Sequence, residues 1–144
     1  MIELDLPDMG MQKEVIRRER VREATTELLK GLDAPHVKGP LSFDYRAYST
    51  KHLLTESEGW EPPPHEVVNA WFEHFKTALP DFGSDKKLGN LLGLEGNADR
   101  RIRSFRNGER PIPYGIWRKF LVLTGRAHQE IWPVLAIIDD DLRM

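Results

Sequence analysis

Three consecutive prolines, Pro62-Pro63-Pro64, constrain this chain more than any other feature. Proline supplies no amide donor and holds its predecessor extended, so no helix runs through the segment Gly59-Trp60-Glu61-Pro62-Pro63-Pro64. The run divides the sequence into an N-terminal extension, residues 1–59, and a core domain that opens at Trp60, whose indole is expected to anchor the strap onto that domain. A weaker reading makes the prolines a ligand for an SH3-like partner. Within the extension, residues 1–10 read as a loose lead-in. Met11 to Leu32 lacks proline and carries Val15, Val21, Ala24, Leu28, Leu29 and Leu32 at helical spacing, with Gly31 as a closing residue. Its other face mixes signs, and Glu14 stands four residues before Arg18. A solvated face is the favoured reading of Arg17, Arg18, Arg20 and Arg22, with a DNA-contacting arm behind it. A helix of this length also suits dimerisation or a protein partner. Asp33 to Thr50 is an ordered connector in which Phe43, Tyr45 and Tyr48 are spaced like a short strand. Thr50 to Glu58 suggests a short helix with Leu53 and Leu54 inward.

Downstream of the prolines every strong pattern is helical. His65 to Leu79 presents Val67, Val68, Trp71, Phe72, Phe75 and Leu79 on one face. His65 and His74 are nine apart, which does not match the spacing of a helical metal pair. Ser84 or Asp85 caps a short helix to Leu92, in which Gly89 marks a close approach of another helix. Gly93 breaks it, and after Leu94-Glu95-Gly96-Asn97, with Asn97 as N-cap, a second helix runs from Ala98 to Asn107 and stops at Gly108. There Ala98, Ile102 and Phe105 face inward, leaving Asp99, Arg100, Arg101, Arg103, Ser104 and Arg106 outward. Pro111-Ile112-Pro113 introduces a last helix, Tyr114 to Thr124, with Ile116, Trp117, Phe120, Leu121 and Leu123 inward, Arg118 and Lys119 outward and Gly125 as cap. The expected fold class is all-α.

Charge singles out the same region. The whole chain carries a formal −2, but residues 84–125 hold nine Lys or Arg against four Asp or Glu, whereas residues 1–83 hold ten against fifteen. A basic block in an acidic chain is an electrostatic footprint for phosphate. Four arginines on the solvent face of one helix suit a major groove, where Arg pairs bidentately with guanine O6 and N7.

These residues resemble the lambda-repressor-like, Cro/Xre-type helix-turn-helix family. The likeness is carried by Leu88-Gly89, Leu92-Gly93-Leu94, the Ile102 and Phe105 pair and the closing Asn107-Gly108-Glu109-Arg110 with Pro113. More narrowly, Trp60 with the prolines, the Val67 to Leu79 helix and ADRRIRSFRNGERPIPYGIWRKFLVLTG are similar to small regulators of bacterial mobile elements. It covers about residues 60–125 and implies a domain of four to five helices. It also implies base reading by Asp99, Arg100, Arg101, Arg103 and Ser104, and phosphate contacts from Ser84, Lys86, Lys87, Arg106, Asn107 and Arg110. One departure is the turn Leu94 to Asn97, about two residues longer than the family's usual turn, which shifts or tilts the second helix. Asp99 is expected to favour the helix N-terminus or to orient Arg103 rather than to read a base.

Residues 126–144 form a further segment. Ile131, Trp132, Val134, Leu135, Ile137 and Ile138 are too apolar for a free tail and are expected to pack on the core or at a subunit interface, with Asp139-Asp140-Asp141 as an acidic stop. Hydrophobic residues at 40%, with four Trp, six Phe and three Tyr, argue for a globular chain, and the absence of Cys excludes disulfides and thiolate zinc sites. MIELDLPDMGMQKE is acidic and has no apolar core, so neither a signal peptide nor a membrane segment is expected, and a cytoplasmic location follows. No P-loop, G-x-S-x-G, HExxH or Cys nucleophile is present, so no catalytic residue, metal or cofactor is assigned. The expected function is a sequence-specific DNA-binding transcriptional regulator, a repressor acting as a homodimer on double-stranded DNA. The alternatives are an antitoxin that binds DNA and covers a toxin through residues 1–59, and an adaptor that binds protein alone.

Overall fold

Helices make up every regular element among residues 9–140, the part of the chain described by the computed structural model. Of the loose lead-in expected over residues 1–10, Met9 and Gly10 instead begin a helix, while residues 1–8, like Asp141 of the acidic stop, lie outside the described residues. The chain forms two compact units, residues 1–38 and residues 39–144. In the first, helix α1 (Met9–Lys30) runs into a 3-10 turn at Gly31–Asp33. Its apolar side chains Val15, Ile16, Val21, Leu28 and Leu29 are all exposed. Glu14 pairs with Arg18 (2.9 Å), as its spacing predicts, and also with Arg17 (2.7 Å).

The boundary expected at residue 59 falls instead after residue 38. Residues 39–58 belong to the second unit because they bury side chains in its core. Phe43, Tyr45, Tyr48 and Leu53 are half-buried against it, and His52 is fully buried. His52 Nδ1 accepts a hydrogen bond from Trp117 Nε1 (3.2 Å), and its ring meets Trp71 and Trp117 edge-on. Burial, followed by the nearby charge of Arg126, pushes the His52 pKa down to about 4. Nothing in the local pattern marks this histidine, since it sits in a segment of 3-10 turns without periodicity. Tyr45–Ala47 is one such turn, capped by Asp44, although the spacing of Phe43, Tyr45 and Tyr48 resembles a short strand. Lys51–Leu53 and Glu56–Glu58 are two more, in place of one short helix. Trp60 anchors the strap as expected, its Nε1 donating to the His52 carbonyl (3.1 Å) while its ring meets Tyr114 edge-on.

The core is built from α2 (His65–Ala78) and α5 (Tyr114–Leu123). Val67, Val68, Trp71, Phe72 and Phe75 of α2 are buried against Trp117, Phe120 and Leu121 of α5. Leu79 and Leu123, placed inward by periodicity, lie at or beyond the helix ends and are exposed. Trp71 stacks on Trp117 with ring centres 5.7 Å apart, and Phe72 meets Phe120 edge-on at 4.8 Å. Aromatic packing of this kind dominates the stability of small helical domains, and truncating such a ring costs about 3–5 kcal/mol. Helix α5 ends in a Schellman motif: Gly125 N–H reaches the Val122 carbonyl (3.1 Å) and Arg126 N–H the Leu121 carbonyl (2.8 Å). Arg118, expected to be solvated, is instead largely buried. It donates to the carbonyls of Leu53 (3.3 Å) and His128 (3.1 Å), so it ties the connector and the C-terminal segment to α5.

Beyond α5, Ala127 packs on the core and Glu130 accepts from the Tyr114 hydroxyl (2.7 Å). Residues 131–140 are exposed throughout, with Leu135 at 93% of its free surface, so this segment does not pack back on the core. Among the described residues no helix is long and apolar enough to cross a membrane.

Candidate nucleic-acid interface

Two short helices carry the basic block: α3 (Asp85–Leu91) and α4 (Ala98–Arg106). Ser84 caps α3, its Oγ accepting from Lys87 N–H (3.1 Å). The expected phosphate role of Ser84 is thus added to a capping role already in place. Leu92 and Gly93 close α3 through a second Schellman motif, in which Gly93 N–H reaches the Asn90 carbonyl (3.1 Å) and Leu94 N–H the Gly89 carbonyl (2.9 Å). Gly93 has φ +88°, a conformation that costs glycine little, and it turns Leu94 back into the core, where it is 3% exposed.

Of all pairs of elements, α3 and α4 pack most extensively. Gly89 makes this possible, as its sequence position suggested: a Cβ there would lie 2.8 Å from Ala98 Cβ, 3.1 Å from the Ala98 carbonyl oxygen and 3.2 Å from Ile102 Cγ1. Asn97 occupies the N-cap position of α4 but not in the expected way. Its backbone is left-handed (φ +52°, ψ +32°), and its side chain makes no capping bond. The turn Leu94 to Asn97, with Gly96 also at positive φ, brings the chain into α4 from a direction that an ordinary extended N-cap does not use.

On α4 the inward stripe is Ala98, Ile102 and Phe105, all buried as read from the spacing. Asp99, Arg100, Arg101 and Arg103 are exposed. Asp99 lies 3.5 Å from Arg103, one turn apart, so it orients that guanidinium. Arg100 and Arg101 form no ion pair among the described residues, and neither do Lys86, Lys87 and Arg110, which are exposed nearby in sequence. Asn107 is exposed but engaged with its own turn: its Oδ1 accepts from Glu109 N–H and its Nδ2 donates to Glu109 Oε1, both at 3.0 Å.

Two of the expected contact residues are corrected. Ser104 is only 9% exposed. The chain leaving α4 folds back beside it, with Arg110 N–H on the Ser104 carbonyl (3.2 Å) and Ile112 buried, and its hydroxyl is used up on the Arg101 carbonyl (2.7 Å). It cannot read a base from there. Arg106 is likewise no free cation. It stands four residues after Ile102 and so lies over the edge of the core rather than opposite it. Its Nη1 donates to both carboxylate oxygens of Asp85 (2.8 and 3.0 Å), its Nε donates to Asn69 Oδ1 (2.9 Å) and its Nη2 pairs with Glu73, so it clamps α4 to α2 and to the first turn of α3. Lys76 completes the cluster at 2.9 Å from Asp85. The hydrogen bond from Lys76, supported by the charge of Arg106, holds the Glu73 carboxyl below its usual range. Three arginines, not four, therefore form the outer face of α4. Among the described residues no cluster of His, Cys, Asp and Glu is arranged to hold a metal ion.

No protein-family model, curated protein or solved structure matches this chain.

Proposed function

We propose that this chain is a sequence-specific regulator that binds double-stranded DNA, with α2 to α5 as a lambda-repressor-like domain and α3, the turn and α4 as its helix-turn-helix. The observation that carries this reading is the outer face of α4. Arg100, Arg101 and Arg103 stand exposed on a helix whose other side is fixed by Ala98, Ile102 and Phe105 and whose end is clamped by Arg106. A rigid helix presenting exposed guanidinium groups is what reading guanine in a major groove requires. Lys86, Lys87 and Arg110 then supply phosphate contacts, with Ser84 and Asn107 beside them, and these fix register without reading sequence. One helix this short buries too little surface to select a site in a genome, so the acting species is a homodimer on a palindromic operator, and the regulation is repression.

A second reading is favoured by one observation. The apolar residues of α1 and of residues 131–138 are exposed, which suits an antitoxin that holds a protein partner as well as DNA. Co-purification of a second chain from the native host would support it.

Selection from random duplexes with the purified chain tests the main reading. Enrichment of a two-fold symmetric site is the expected outcome. Failure to enrich any sequence at low salt would count against DNA recognition altogether.

A further inference from the structure

A cleft of about 510 Å³ opens in residues 39–144, at a distance in sequence from the helix-turn-helix, with Phe43, Tyr45, Trp71 and Arg126 in its wall. Its volume falls in the range of small-molecule sites, and three of these four side chains are aromatic. Arg126 is the unusual member. The Schellman motif that ends α5 fixes its backbone, and its guanidinium lies 4.0 Å from the centre of the Trp71 ring. Burial lowers its pKa, yet no carboxylate forms an ion pair with it among the described residues. Asp44 and Arg46 also border the cleft as opposite charges, and one Asp44 carboxylate oxygen is taken by the Arg46 N–H (3.0 Å), so these two offset each other. The cleft thus carries one uncompensated, partly desolvated positive charge. The Arg126 guanidinium makes no side-chain hydrogen bond among the described residues, and its N–H edge matches the two oxygens of a carboxylate.

We propose that this cleft binds a small aromatic monocarboxylate, with the ring against Phe43, Tyr45 and Trp71 and the carboxylate on the edge of Arg126. A monoanion matches the single uncompensated charge. The inference does not depend on DNA binding. It gives the chain a ligand whose carboxylate would neutralise a charge that the fold leaves unpaired beside the Trp71–Trp117 stack.

The test is calorimetric titration of the whole chain with indole-3-acetate and, as a neutral match, indole-3-acetamide. Saturable one-site binding of the acid with a Kd of about 1 mM or tighter is expected, with the amide at least about tenfold weaker. Arg126→Gln, checked for native circular dichroism, should weaken the acid about tenfold and leave the amide unchanged. Equal affinity for acid and amide overturns the proposal, as does no saturable binding of the acid. So does acid binding that a folded Arg126→Gln leaves intact. Should Arg126→Gln fail to fold, the acid and amide comparison on the unaltered chain still decides.

Discussion

Adding one methyl group at Gly89 is expected to destabilise the domain, although alanine is the better helix former. In the interior of α3, replacing glycine by alanine gains about 1 kcal/mol of helix propensity. Against this, the new Cβ would sit 2.8 Å from Ala98 Cβ and 3.1 Å from the Ala98 carbonyl oxygen. Neither atom is the end of a flexible side chain, so α3 and α4 must separate to relieve the contact. Overpacking of this kind costs about 2 kcal/mol. The balance is a loss of about 1 kcal/mol, which in a domain of this size lowers Tm by about 4–8 °C. Gly115→Ala is the control, because a Cβ at Gly115 meets nothing within 4 Å. It should melt at or slightly above the unaltered chain. Thermal unfolding followed by far-UV circular dichroism reads both. A Gly89→Ala variant as stable as the parent would refute the close approach of α3 to α4, and with it the frame that presents the arginines.

Two further outcomes follow from buried charge. Arg106→Ala should lose about 1–2 kcal/mol in urea unfolding, since it strips the clamp from partly buried Asp85, whereas Arg100→Ala should stay within about 0.5 kcal/mol of the parent. Equal stability of the two variants would mean that the clamp is not formed in solution. For His52 the folded pKa of about 4 lies below the unfolded 6.5, so the unfolded chain binds more protons between these values. Stability contributed by the neutral ring is complete above the unfolded pKa and falls as pH drops through this window, by up to about 3 kcal/mol at its lower end. His52→Gln should flatten the difference between urea midpoints at pH 7 and pH 4.5, and a variant with the same pH dependence as the parent would exclude His52 as its source.

The parts of the fold legible in the sequence were those governed by helical periodicity and by glycine. The stripes of α2, α4 and α5 identified the core and Gly125 marked a helix end, because each depends on neighbours within one or two turns, while Gly89 marked a close approach because a glycine inside a helix leaves room for another helix. What escaped depends on chain returning from a distance. Burial of His52, Arg118 and Ser104 follows from the connector, the C-terminal segment and the loop after α4 folding over them, and no local spacing encodes this. Arg106 escaped for a related reason. Its partners Asn69, Glu73 and Asp85 lie on two other elements, so a residue that looked like one more solvent-facing arginine is a structural one. Asn97 has a residue type suited to capping, but the turn before it fixes a backbone conformation in which its side chain does not cap.

The central claim, that the outer face of α4 reads duplex DNA, is tested most directly by titrating a selected duplex in rising salt with the parent chain, Arg100→Ala and Arg110→Ala. Arg100→Ala should weaken the selected site by about 1–3 kcal/mol and relax one base position, while Arg110→Ala should weaken all duplexes alike and reduce the salt slope by about one. Variants that bind the duplex as the parent does, with the same salt slope, would contradict it.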